Sequence, residues 1–364
     1  MKPKLLALHL PQYHPIPEND EWWGPGFTEW RNVARATPLF PGHYQPHLPA
    51  DLGYYDLRLP EVRQQQADLA RQYGIHGFCY YHYWFSGKQL LERPVAEILS
   101  SGQPDFPFCL CWANENWTRR WDGQDQEVLI AQHYSLADDE SHLLSLLPFF
   151  HDPRYIRIHN KPLFLVYRAS ALPNPRATTA LWRHLAQQQG LDGLYLVKVE
   201  SFPTERNRHP ELDGFDAALD FQPDGTAAPM RIKPPRSVRT LQKAGFYQQH
   251  HLSINSIFSY NQFVTAMLVR EQPAYPRFPA IFPSWDNSAR RRNGGANIIH
   301  GSTPQLYAKW LRSLLSDSRI FKYLPEPILF INAWNEWAEG NHLEPCLRWG
   351  HQYLNETLNA LEEL

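Results

Sequence analysis

Short apolar runs recur along the chain, each hydrophobic on both faces and nearly every one followed by a polar, aromatic burst and then by a stretch of helical period. The runs cover residues 4–10, 77–84, 107–113, 161–168, 194–200, 215–221, 278–283 and 327–332. Helical periodicity lies between and after them, over residues 60–73, 88–101, 137–150, 176–189, 260–270, 303–315 and 351–364. Pro60 suits the first turn of its helix, Val62, Leu69 and Ala70 mark its apolar stripe, and Gly74 ends it. Two stretches break the rhythm: residues 13–59, dense in Trp, Tyr and Phe, read as a wall or lid, and residues 222–259 are irregular and rich in proline.

Eight strand-then-helix units predict an α/β fold, a (β/α)8 TIM-type barrel with long loops at its C-terminal face. A doubly wound sheet is the runner-up. The barrel is preferred because the polar bursts follow nearly every strand, as they do when all strand ends meet at one face. No linker or repeat marks a boundary, so residues 1–364 are expected to form a single domain.

Composition narrows the function. With 43% hydrophobic and 20% charged residues, a packed globular protein is expected rather than a disordered one. A formal net charge of -2 gives no general attraction to nucleic acid or to anionic membranes. No run approaches a membrane span, and the apolar stretch after Met1 is too short for a signal peptide, so a cytoplasmic protein without membrane insertion is expected. Cys79, Cys109, Cys111 and Cys346 show neither metal-site spacing nor a disulfide framework and are expected as buried thiols. His43 and His47 are four apart, but Tyr-Gln-Pro between them opposes a regular helix, and no metal or cofactor is expected. The 13 tryptophans exceed what a core needs and favour a carbohydrate ligand.

The chemistry gathers at the C-terminal end of the last apolar run, where Trp334-Asn335-Glu336-Trp337-Ala338-Glu339-Gly340 interleaves two acids with two tryptophans. Cleaving a sugar linkage requires two carboxyls, and binding a sugar uses aromatic faces. Both acids could instead cap the following segment. In a barrel, however, the loops after the strands bring Tyr13, His82, Trp84, Trp112, Asn114, Glu115, Trp117, Trp285, Asp286 and Asn335 toward the same face. These ten are the expected substrate-binding residues around the expected catalytic pair Glu336 and Glu339. Each has a bland reading as well: His82 as a core histidine, Glu115 as the ion-pair partner of Arg119 or Arg120. Among aromatic side chains a carboxyl's charged form is disfavoured, and Glu339 is where that shift is expected.

The segments His9 to Pro15, Gly26 to Trp30, Gly77 to Trp84, Cys111 to Trp117, Ser284 to Asn287 and Trp334 to Gly340 together resemble the WbsX-type family over nearly the whole chain. That family is described both as glycosyltransferases of surface-polysaccharide clusters and as domains similar to glycoside hydrolase family 99. Asn335-Glu336-Trp337-Ala338-Glu339-Gly340 resembles the motif of the founding family 99 enzymes, endo-acting α-mannosidases. The resemblance implies that Glu336 removes the proton of the sugar 2-hydroxyl, which attacks its own anomeric carbon, while Glu339 protonates the leaving oxygen. A 1,2-anhydro sugar and overall retention follow, without the enzyme nucleophile of the usual retaining scheme.

A glycoside hydrolase acting on a polysaccharide or oligosaccharide is therefore expected. The alternative is a glycosyltransferase of O-antigen or capsule assembly, for which Arg290-Arg291-Arg292 beside Gly294-Gly295 could hold a phosphate. Against it, no Gly-rich strand-to-helix turn or doubly wound pattern is seen. A noncatalytic sugar-binding protein would need the aromatic platforms but not the acid pair.

Overall fold

The computed structural model describes residues 2–119, 124–233, 254–291 and 294–364. Arg120 to Gly123, Arg292 and Asn293 lie outside them. Nine parallel strand segments run in chain order around a nearly closed barrel: β1 (Lys4–His9), β2 (Ile75–Phe85), β3 (Phe108–Trp112), β4 (Lys161–Val166), β5 (Tyr195–Val199), β6 (Ala217–Leu219), β7 (Arg277–Phe278), β8 (Ala280–Ile281) and β9 (Ile328–Ile331). Eight strands are expected from sequence. The ninth arises because Pro279, which has no amide to give a ladder, splits the seventh strand in two. Its first half pairs with β6 and its second with β9, so one broken strand closes the barrel.

The strand interiors are largely apolar because sheet and helices cover both faces: Leu5, Leu6, Cys79, Cys109, Leu163, Phe164, Val197, Leu329 and Phe330 are fully buried, with Lys198 of β5 a fully buried exception. Where β2 enters the barrel, a Cβ on Gly77 would stand 2.6 Å from the Pro107 carbonyl oxygen, so only glycine lets these backbones approach so closely. All four cysteines are free and buried.

Among the described residues, seven helices follow the strands: α1 (Pro60–Gln72), α2 (Arg93–Ser101), α3 (Leu136–His151), α4 (Pro175–Gln188), α5 (Tyr260–Leu268), α6 (Pro304–Ser316) and α7 (Gln352–Glu362). Ser135, Asn174, Ser259 and Thr303 cap four of them by accepting an amide hydrogen bond within the first turn. The helix expected over residues 88–101 starts later. β2 runs on to Phe85, turns through Ser86 and Gly87, both at positive φ, and pairs back with Lys88–Leu90 as a tight hairpin before α2 begins. The long first loop contains two short helices, Pro17–Trp23 and Trp30–Ala34. After β3, Trp117–Arg119 pairs antiparallel with Gln124–Ile130. A three-stranded sheet of Ser256–Ser259, Asn297–His300 and Trp285–Asp286 flanks β8. No described helix is long and apolar enough to cross a membrane.

Candidate active site

Immediately after β9 the chain pairs Asn335–Glu336 antiparallel with Asn341–His342 around a single 3-10 turn, Trp337–Glu339. Gly340 ends that turn at φ 56°, where a Cβ would meet Asp286 Cβ at 3.1 Å and His47 Nε2 at 3.2 Å. The motif is held from beneath. Asn335 Oδ1 accepts from the Leu10 amide at 2.7 Å and its Nδ2 donates to the Leu10 carbonyl at 3.0 Å, binding the end of β9 to the end of β1. Tyr13 donates its hydroxyl proton to the Asn335 carbonyl and accepts from the Trp337 amide at 3.2 Å. Trp337 stacks on His342 at 3.7 Å and donates Nε1 to Glu344 at 2.6 Å. Glu344 also receives Gln66 at 2.7 Å and Tyr55 at 2.8 Å, and burial pushes its carboxyl up to about 7.

Above this floor lies a cleft of about 830 Å³ whose wall includes both Glu336 and Glu339. Tyr81, Tyr83, Trp22, Trp23, Trp117 and Trp285 give it aromatic faces. Arg290, from the 3-10 turn Asn287–Arg290, joins the acids: its Nη2 reaches Glu336 Oε2 at 2.8 Å, its Nη1 reaches Glu339 Oε1 at 2.6 Å, and its Nε donates to Glu29 Oε2 at 3.1 Å. Because the guanidinium fork is rigid and planar, those contacts hold the two bound oxygens within about 8 Å of each other. Glu29 is completely buried, and Glu336 is 6% exposed. Burial pushes Glu336 up to about 8, Arg290 opposing and Glu339 and Glu29 reinforcing. From sequence, that shift is expected on Glu339. Burial likewise raises Glu29 against Arg290. Among the described residues one cation serves these three acids, so a proton held within the cluster relieves their repulsion.

Of the residues expected at the site, Glu336, Glu339, Asn114, Glu115, Trp117 and Trp285 line the cleft. Glu115 pairs with Arg168 at 2.9 Å, not with Arg119, whose partner is Glu127. Asn114 is fully buried and acts as a second strand clamp, accepting from the Arg168 amide at 2.7 Å and donating to its carbonyl at 2.9 Å. Tyr13 and Asn335 lie in the floor. His82, Trp84 and Trp112 point the other way, onto α3: His82 and Trp84 stack on His142, Trp84 donates to Asp138 at 3.1 Å, and Trp112 meets His142 edge-on. The period-two alternation of a strand explains this, since Tyr81 and Tyr83 face the cleft and their neighbours must face the helices. Asp286 takes hydrogen bonds from His43 at 2.6 Å and Gln45 at 2.8 Å and lines a separate small pocket of about 70 Å³.

Glu29 and Arg290 are the residues that sequence reading leaves out of the site. Glu29 sits in the Gly26 to Trp30 segment, far from any strand end, and only its flanking aromatic residues signal a packed position. Arg290 reads as part of a phosphate-holding loop, yet it is engaged by carboxylates. Among the described residues no group of three or more His, Cys, Asp or Glu could hold a metal ion.

The fold is similar to that of the GH99 endo-alpha-mannosidase from Bacteroides thetaiotaomicron in complex with bis-tris-propane, with a TM-score of 0.56, 12% identity, and 99% of this chain and 96% of that chain covered. A structure named "Glycoside hydrolase-like protein" gives a TM-score of 0.59 at 13% identity over 99% of this chain and 94% of that chain. At such identities the likeness is one of fold. Two proteins of Xanthomonas campestris pv. campestris, both named "Uncharacterized protein WxcX", are 43% and 42% identical over 362 residues, 98% of this chain and 49% of each relative. The chain thus spans about half the length of the curated relatives it matches. The model of the family described as "Glycosyltransferase WbsX" matches residues 5–357, and the chain belongs to that family.

Proposed function

We propose that the chain is an enzyme acting on glycosidic bonds, a glycoside hydrolase whose reacting groups are Glu336 and Glu339. One observation carries the reading: the two carboxyls share a guanidinium in the wall of an aromatic cleft at the strand ends, where a glycosidic bond could lie against both. In the scheme implied by the family resemblance, Glu336 takes the 2-hydroxyl proton as O2 bonds to C1. The C1–leaving-oxygen bond breaks as that oxygen receives the proton of Glu339. Water then attacks C1 as the C1–O2 bond breaks, giving its proton to Glu339 while O2 takes back a proton from Glu336.

One observation favours the exchange of these roles. A carboxyl pushed up to about 8 holds a proton at neutral pH and suits the acid. With Glu336 as base the rate climbs as pH rises toward about 8, whereas with Glu336 as acid it falls through the same range.

The family's description as a glycosyltransferase supports transfer to a sugar hydroxyl in place of water, with the same pair. The test supplies α-mannooligosaccharides, then other α-linked oligosaccharides, in ¹⁸O-labelled water without any activated sugar. Hydrolysis yields new reducing ends carrying the label, lost in both Glu336→Gln and Glu339→Gln. Turnover only when a nucleotide-linked or lipid-linked sugar is present would replace hydrolysis with transfer.

A further inference from the structure

Glu336 and Glu339 each give one oxygen to Arg290, and among the described residues no hydrogen bond reaches the other oxygen of either. Those second oxygens, Glu336 Oε1 and Glu339 Oε2, belong to side chains that line the cleft. Arg290 is itself fixed from behind, its Nε bound to a carboxylate with no exposure at all. Swinging the guanidinium out would strand Glu29 as a buried, unpaired charge, which is strongly unfavourable. The fork is thus a fixture, not a plug that an entering sugar pushes aside.

We infer that Arg290 is a positioning residue for the glycosidic reaction, holding one oxygen of each carboxyl so that the other faces the substrate, and that Glu29 anchors Arg290 for that task. This rests on the proposed function of the same site. A fork suits the task where a point charge does not, because its two nitrogens fix two carboxylates in one plane at a set spacing. The groups facing Glu336 are Arg290, Glu29 and Glu339, with the hydroxyls of Tyr13, Tyr81 and Tyr83. Arg290 favours ionisation of Glu336, whereas Glu339 and Glu29 oppose it. Removing Arg290 and removing Glu29 therefore move the titration in opposite directions.

The experiment compares Arg290→Gln, Arg290→Lys and Glu29→Gln with the wild-type chain, with circular dichroism as the check of folding. Arg290→Gln is expected to lower kcat by roughly a hundredfold or more with KM nearly unchanged, as misplacement of reacting groups does. Arg290→Lys keeps the charge without the fork and should recover only about a tenth of that loss. The Glu336 carboxyl, followed by carbon-13 NMR titration, should rise by about a unit or more in Arg290→Gln and fall in Glu29→Gln. The titration needs no substrate, so it still reads the clamp if the wild-type chain cleaves none of the glycans and the functional reading fails. An unmoved Glu336 titration in Arg290→Gln overturns the inference, as does an undiminished or increased kcat. Should Arg290→Gln fail to fold, Arg290→Lys decides: full activity there overturns the fork.

Discussion

Two buried ion clusters stand at the C-terminal ends of the barrel strands, and they are built on opposite principles. Beyond β5 and β6, Glu200, Asp220 and Asp224 meet Arg206, Arg270 and Arg277, three acids against three bases. Burial opposes ionisation of Asp220, yet Arg277, Arg270 and Arg206 together hold its carboxyl below the ordinary value. Glu200, further from its arginine at 3.5 Å, is raised by burial and takes a hydrogen bond from Tyr275 at 2.5 Å. Beyond β9, Glu29, Glu336 and Glu339 share Arg290 as their one ion-pair partner among the described residues. The balanced cluster ties strand ends together with its charges satisfied. The unbalanced one keeps negative charge that folding alone would select against, as expected of groups kept for chemistry.

The largest effect expected from this contrast is on turnover. Glu336→Gln or Glu339→Gln should lower glycan cleavage roughly a thousandfold while thermal unfolding stays close to wild type. A loss of folding with either substitution would make the acids structural. In the balanced cluster the reverse is expected: Arg206→Met leaves Asp220 and Asp224 short of a partner, and denaturant titration should show a loss of about 3–5 kcal/mol.

The dependence of stability on pH separates the clusters next. Glu336 binds its proton more tightly folded, about 8 against an ordinary 4.5, so between those values the folded state carries the extra proton and stability falls as pH rises. The contribution is on the order of a few kcal/mol, and Glu336→Gln should flatten it. Asp220 has the opposite sign. Its carboxyl is lowered from 3.8, so its contribution is full above that value and is lost as pH falls through the folded value. Urea midpoints measured from pH 3 to pH 9 report both slopes.

The smallest effect expected is on binding. Trp117→Ala removes a cleft face and should raise KM about tenfold, whereas Trp84→Phe, on the α3 side of β2, should leave KM unchanged. Equal changes from the two would contradict the division of faces.

That division shows where sequence was legible and where it was not. Two-sided apolar runs separated by helical periods specify the barrel, because strand and helix periods differ strongly. The Glu336-to-Glu339 motif is legible because acids between tryptophans at a strand end are unusual. Which residues of β2 face the cleft is not legible: Tyr81, His82, Tyr83 and Trp84 are all polar-tipped aromatics, so alternation leaves no contrast to read. Asn114 and Asn335 look like sugar-binding amides, but each spends its hydrogen bonds on a neighbouring strand's backbone. The partnership of Glu29 with Arg290 spans 261 positions, a distance that no local pattern bridges.

Pro279 has a consequence for how the molecule breathes. Across the break, only short ladders close the barrel: the Ala218 and Asp220 amides bond to one side, and the Phe330 and Asn332 amides to the other. Between β2 and β3, by contrast, Phe78 through His82 pair without interruption with Phe108 through Trp112. Deuterium should therefore enter the Pro279 seam before it enters the β2–β3 ladder, since local opening follows the weakest pairing. The seam ends where Asn332 Nδ2 holds the Gln222 carbonyl at 2.6 Å, beside the cleft. Transient opening of this clasp would let the floor of the cleft loosen while the rest of the barrel stays closed.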